Sequence, residues 1–161
     1  MSNQTSVDID FVQAFAGLIG DLRTKIIESA LAEGSVRFGI GVVAGTDKDT
    51  QIKEVAADTE TFRGFAVQKH KARNISTNVT EYVDEEAVDY LRQGVIWCPV
   101  ETTVATVVVD VPAFLNVAVG GVELGRVTEV STANLATGGK FRKLATGPDG
   151  EDLALVEINL P

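Results

Sequence analysis

The chain reads as a mainly β protein: an antiparallel β-sandwich or barrel-like domain with an N-terminal arm or short helix. Three observations predict this. Valine, threonine, glycine and alanine abound, while lysine and arginine together number only 14 of 161 residues, a mix that suits pleated surfaces better than helices. Apolar residues alternate with period two in several short runs, clearest in Val36–Asp47. Turns carrying glycine or proline separate these runs, and no helical pattern alternates with them, which argues against a parallel α/β sheet.

Residues 1–34 form the N-terminal arm or short helical segment, and 35–161 the β-rich domain. Residues 1–8 are polar. In 9–33, Ile9, Val12, Phe15 or Ala16, Ile19, Leu22 and Ile26 fit a helical stripe. Gly17 and Gly20 interrupt it, so an extended arm with hydrophobic anchors fits equally. In Val36–Asp47, Val36, Phe38, Ile40, Val42 and Ala44 point one way. Gly39 and Gly41 lie on the other face, where glycine signals a bend or a very close neighbour.

Gln51–Ala56 and Phe62–Lys69 read as further strands, and Lys71–Asp84 as a polar loop. A strand at Asp89–Arg92, a bend at Gln93-Gly94 and a strand over Val95–Glu101 follow, with Pro99 at an edge or bulge. Val104–Val111 is a β-branched run stopped by Pro112. Leu115–Val119 and Val122–Val130, the latter broken near Gly125, read as strands, and Asn134–Gly139 as a loop. Lys140–Ala145 and Leu153–Leu160 flank Thr146–Gly150, whose Pro-Asp-Gly core predicts a hairpin turn.

Composition narrows the function. The net charge is −9, which disfavours nucleic-acid binding through a basic groove. No run of about 18 apolar residues occurs, so no membrane-spanning helix is expected. The first ten residues lack the basic start and apolar run of a secretion signal, so synthesis in a cytoplasm is expected. The sequons at Asn3, Asn74 and Asn78 then read as chance. Cys98 is the single cysteine, so no intrachain disulfide is possible.

The search for catalysis finds little. His70, the single histidine, lies between two lysines with no nucleophile motif, and reads as an exposed strand-end residue. Cys98, between Trp97 and Pro99, reads as a buried small hydrophobe. With one His and one Cys, these residue types do not build a zinc site. Glu81, Asp84, Glu85, Glu86 and Asp89 form an acidic cluster, read as a solvated turn. Asp47-Lys48-Asp49 opens like a calcium loop, but Ile52 stands where that loop needs glycine, and Asp58 where it needs glutamate. The glycines at 39, 41 and 45 lack a following G-K-[ST] and do not make a phosphate loop. Trp97, Tyr90 and Phe65 read as core aromatics rather than a sugar platform. No catalytic residue, cofactor or metal is expected.

The order of segments carries a resemblance. AFAGLIGDL at 14–22, RFGIGVVAGTD at 37–47, TFRGFAVQKH at 61–70 and EYVDEEAVDYLRQGVIWCPVE at 81–101 precede a β-rich half. This resembles the structural cement, or capsid decoration, proteins of tailed bacteriophages. There a glycine-rich early strand precedes an F-x-G-F/V-A-V segment, then a tyrosine and acidic loop leading into an L-R-Q-G-x-I-W strand. The resemblance implies a homotrimer on the outer surface of an icosahedral head, made in the bacterial host cytoplasm. It would bind the major capsid protein where capsomers meet, without a cofactor. Phe11, Phe15, Leu18 and Ile19 are then candidate anchors on the capsid or a neighbouring subunit; equally, they cap the chain's own core. Gly39 and Gly41 are candidates for close packing against trimer mates. Two other readings compete. One is a β-sandwich binding module or adhesin of a phage tail or fibre, recognising a carbohydrate or receptor through Trp97 or Tyr82. The other is a small hydrolase using Glu85 and Glu86.

Overall fold

The computed structural model describes residues 14–20, 24–68, 80–101, 107–117, 123–147 and 150–160. Phe11, His70 and the three sequons lie outside them, as do most of the polar 71–84 loop and the Pro148-Asp149 turn tip. The strands are β1 Ile26–Ala32, β2 Val36–Arg37, β3 Gly41–Ala44, β4 Gln51–Glu54, β5 Phe62–Ala66, β6 Glu81–Tyr82 and β7 Ala87–Pro99. They continue with β8 Pro112–Leu115, β9 Val127–Thr128, β10 Leu135–Thr146 and β11 Asp152–Asn159.

The main sheet runs β1-β4-β3-β5-β7-β11-β10-β8-β9, and β1 also pairs with β7. The first five members therefore close a ring, a small barrel. The remaining strands continue from β7 and fold over its outside. The mainly β expectation holds, with a barrel and an added sheet in place of a simple sandwich. Pairing is antiparallel except for a short parallel contact of β1 with β4, at Leu31 and Ala32, and a parallel bridge between Val100 and Val127.

Alternation explains how one set of strands serves two cores. Ala32, Val42, Ile52, Ala66, Val88 and Tyr90 point into the barrel. Their neighbours Val43, Phe65 and Leu91 point outward into a second core, against Leu115, Phe141 and Val156 of the outer sheet. Burying each such side chain contributes about 1.5–3 kcal/mol. One barrel end is closed by the β2–β6 ribbon. There Phe38 and Tyr82 meet edge to face at 5.2 Å and 87°, and the Tyr82 hydroxyl donates to the Val67 carbonyl at 2.7 Å.

The structure corrects several sequence expectations. Val36–Asp47 is not one strand, because the chain turns at Phe38-Gly39 between β2 and β3. Residues 26–32, inside the segment read as helix or arm, form β1 of the ring. The described part of Val104–Val111 is turn rather than strand, and Pro112 opens β8 instead of stopping a strand. Asn134–Gly139 is mostly the start of β10, where Thr137 and Gly138 form a bulge against β8. The bulge is stable because the buried Thr137 hydroxyl donates to the Ala113 carbonyl and accepts the Gly139 amide. In the described part of Val122–Val130, residues 123–125 turn and β9 follows, so the break expected near Gly125 is present. The C-terminal hairpin is present as β10 and β11.

The bend expected at Gln93-Gly94 is an irregularity inside a continuous β7. Ile26 faces Gln93, but the next residue, Ile27, faces Leu91. Arg92 is thus an extra residue on β7, a β-bulge that reverses the alternation. Leu91 before it and Ile96 and Cys98 after it consequently share one core. Across the bulge, Glu28 of β1 accepts from Arg92 at 2.7 Å and from the Tyr90 hydroxyl at 2.8 Å. The Arg92 guanidinium, then the Tyr90 hydroxyl, hold the Glu28 carboxyl below its ordinary range.

Both tyrosines of the chain titrate unusually. Burial pushes Tyr82 and Tyr90 up to about 12, and the neighbouring Glu28 adds to the effect at Tyr90. The folded state holds these protons more tightly than the unfolded chain. Their stabilising contribution is complete below pH ~10 and is lost as the pH rises towards the folded values. Spectrophotometric titration should show almost no tyrosinate at pH ~10, with the band appearing on approach to pH 12. Ordinary titration of either tyrosine near pH ~10 contradicts the buried barrel.

Candidate functional site

The residues singled out from the sequence converge on a seam where the N-terminal segment joins β7. The Gly17 amide donates to the Trp97 carbonyl at 2.8 Å, the Trp97 amide to Leu18 at 2.9 Å, and the Gly20 amide to Val95 at 2.8 Å. Ile19 bridges Ile96 in antiparallel sense. β1 and β11 both pair with Gln93 and so lie on opposite edges of β7; the segment, opposite β11, continues the line of β1. The Gln68 amide, just past β5, donates to the Gly17 carbonyl at 2.8 Å. Pro99 ends this ladder because it has no N–H to offer.

Two glycines make the seam possible. Gly17 and Gly39 have φ of 77° and 74°, in the left-handed region where side chains are strained. A Cβ on Gly39 would lie 2.7 Å from the Gly17 nitrogen and 2.9 Å from the Trp97 oxygen. The Gly39 amide donates to Ala66 at 2.8 Å. Gly39 is therefore a corner against which the N-terminal segment closes. Gly41 makes room elsewhere, in the second core. Its missing side chain is replaced by Leu115, whose Cδ1 would lie 2.1 Å from a Cβ there. Both glycines are buried by this chain's own atoms.

The candidate anchors divide. Leu18 packs with Ala16, Ala145 and Leu155 around Ala14, Trp97 and Leu153, so it caps the chain's own core. Phe15 and Ile19 are half-buried. Phe15 also lines an open cleft of about 260 Å³, with Arg37, Phe38, Pro99, Arg126 and Glu151. Phe11 lies outside the described residues.

Two arginines of this cleft stand in no sequence motif. Arg37 grips the Glu54 carboxylate through Nε at 2.9 Å and a terminal nitrogen at 2.8 Å, and also reaches the Leu124 carbonyl at 2.7 Å. The Glu54 hydrogen bonds raise its pKa. Arg126 meets Glu151 at 3.0 Å and donates to the Val100 carbonyl at 3.1 Å. A bidentate pair such as Arg37 with Glu54 fixes geometry as well as charge. The only sequence signal was an arginine within an apolar run in an acidic chain.

Chemically the seam is built to hold shape. Cys98 is fully buried, and burial pushes its thiol well up, the reverse of an activated nucleophile. The acidic cluster serves turns: Asp84 accepts the Gly34 amide at 2.7 Å, and Glu86 the Val83 amide at 3.1 Å. Asp47 accepts the Asp49 amide and the Thr50 hydroxyl, which accounts for its calcium-like spacing. Among the described residues, no group of three or more His, Cys, Asp or Glu could hold a metal ion. Trp97 is 5% exposed and Tyr82 1%, so neither presents a ring to a carbohydrate.

Two glycine substitutions separate backbone strain from contact. Gly34 also has a positive φ of 82°, but nothing lies within 4 Å of its added Cβ. Gly34→Ala should cost about 1–2 kcal/mol, the left-handed penalty alone. Gly39→Ala should cost at least ~3 kcal/mol, because backbone atoms must also move. Urea unfolding followed by Trp97 fluorescence measures both, and equal losses contradict the seam.

Comparison with known proteins gives a concordant answer. The family described as "Structural cement protein (E217 gp24/Pam3 gp6)" matches residues 3–159. A chain from the solved structure "The capsid of Myoviridae Phage XM1" shares the fold, with a TM-score of 0.74 at 18% identity over 99% of this chain and 98% of that chain. No curated protein matches the sequence. The family match spans the barrel, the seam and the outer sheet together, and on that match this chain belongs to the structural cement proteins of bacteriophage capsids.

Proposed function

We propose that the protein binds the outer surface of an icosahedral phage head as a homotrimer and ties neighbouring capsomers of the major capsid protein. The family match over residues 3–159 carries this reading. The geometry supports it in one respect above others. Residues 14–20 are clamped to β7 and to Gln68, so a contact made upstream of Ala14, Phe11 included, pulls on a defined point of a rigid body. Phe15 and Ile19, half-buried at that point, are the described residues placed to contribute. Each contact needs only a modest surface; a standard stable interface covers about 800 Å² per partner. Three such contacts held by one trimer act together through effective concentration, so weak single contacts become a durable tie. The tail or fibre adhesin reading has no comparable support, since its two aromatics are buried.

The test is co-sedimentation with expanded, undecorated heads. Full-length protein should pellet with heads and should run in light scattering at three times the 17.1 kDa chain mass. A variant lacking residues 1–13 keeps the clamp, and should fold with unchanged Trp97 fluorescence. Its affinity for heads should fall at least about tenfold, a loss of roughly 1.4 kcal/mol. Full-length protein that never pellets with heads overturns the capsid role. A truncated protein that binds equally well removes the arm from it.

A further inference from the structure

The strands of the barrel ring are not equally held. β3, β4, β5 and β7 place Val42, Ile52, Phe65 and Leu91, respectively, in a core. β1 gives no core anything larger than alanine: Ala32 is buried, and Ala30 packs beside it, partly buried. Its larger apolar side chains, Ile26, Ile27 and Leu31, are 44%, 40% and 44% exposed. Removal of apolar surface from water is the main driving force of folding, and it contributes least at β1.

Carboxylates fasten the strand instead. Its backbone ladder runs along β7 from Ile26 to Leu31, but meets β4 only at Leu31 and Ala32. Glu28 accepts from Arg92 at 2.7 Å and from the Tyr90 hydroxyl at 2.8 Å. Asp89 of β7 accepts the Ser29 hydroxyl at 2.5 Å. Just past the strand, Glu33 accepts the Thr46 hydroxyl at 2.9 Å and the Thr46 amide. That ties the end of β1 to the turn between β3 and β4. Hydrogen bonds to an ionised carboxylate are charge-assisted, and protonation removes that assistance.

The surroundings keep both glutamates charged. Glu28 faces Arg92 and Tyr90 of β7 and Arg63 of β5; hydrogen bonds from Arg92, then Tyr90, hold its carboxyl below the ordinary range. Glu33 faces Thr46, Lys53 of β4 and Asp84 in the turn before β7. Hydrogen bonds from the Thr46 amide and hydroxyl hold its carboxyl down, against the repulsion of Asp84. A carboxyl lowered in this way takes up its proton less readily folded than unfolded. Its stabilising contribution is complete above pH ~4.3 and is lost as the pH falls through the folded value. The seam at residues 17–20 lies along the same edge of β7. It is held by backbone hydrogen bonds and by the packing of Leu18, none of which titrates in this range.

We propose that β1 is an acid-released strand: when Glu28 and Glu33 take up protons, the ring opens at β1 while the seam and the outer sheet stay closed. Local opening belongs where few apolar contacts support a ladder. The anchor of the N-terminal segment on β7 is then kept while the barrel opens.

Hydrogen exchange of the full chain tests this, read by mass spectrometry and corrected for the intrinsic rate at each pH. Between pH ~6 and ~3.5, amide protection over Ile26–Ala32 should fall about fivefold or more, while residues 95–98 and Asp152–Asn159 change less than about twofold. A variant carrying both Glu28→Gln and Glu33→Gln keeps the shape of the two side chains without their charge, and Trp97 fluorescence verifies its fold. Its β1 should already be poorly protected at pH ~6 and should respond little to acid. Equal loss of protection in β1 and in the seam reveals one cooperative unit and overturns the proposal. Protection of β1 that acid leaves unchanged, or a full acid response that survives in the double variant, overturns it as well.

Discussion

The structure depends on β7 being shared. Its first half closes the barrel with β1 and β5, and its second half carries β11 on one edge and the N-terminal segment on the other. A strand used this way must face two cores, and regular alternation alone would turn the wrong side chains inward past the barrel. The extra residue at Arg92 solves this by reversing the alternation, so that Leu91, Ile96 and Cys98 all reach the second core. The bulge is held from outside by Glu28 and from the chain end by Leu160, whose amide donates to the Arg92 carbonyl at 3.0 Å. Barrel and outer sheet therefore cannot separate without breaking β7.

That arrangement suits a part whose work is mechanical. Asp84 holds a turn, Arg37 is paired with Glu54, and the single thiol is fully buried. Rigidity comes from close backbone approach at Gly17 and Gly39, and from the Arg37–Glu54 pair that links β2, β4 and the turn at Leu124. A segment clamped by several backbone hydrogen bonds at once transmits load to the whole sheet. A loop joined at a single side chain would yield first.

Much of this could be read from the residues before the fold was known. Strands with strong alternation or a turn signal were visible: β4, β5 and the β10–β11 hairpin fall where apolar periodicity and the Pro-Asp-Gly turn put them. Local pattern misleads where geometry overrides it. β1 went unseen because the helical stripe from Ile9 ran on to Ile26, and with Ile26 and Ile27 both exposed, burial imposes no period of two there. Val36–Asp47 alternates across the Gly39 turn because Val36, Phe38 and Val42 all enter the barrel from two different strands. Pro112 can open β8 because a strand's first residue need not donate a ladder hydrogen bond. Glycines 39 and 41 were correctly read as places of close approach, but no local signal tells which atoms approach. Those partners, Gly17 and Leu115, are remote in sequence.

The central claim is that this chain strengthens a phage head. The most direct measurement is the temperature at which DNA-filled heads release their DNA, with and without the protein bound. The account predicts a higher release temperature for decorated heads, falling back when the protein is stripped and rising again when it is restored. Identical release temperatures at full occupancy would contradict it.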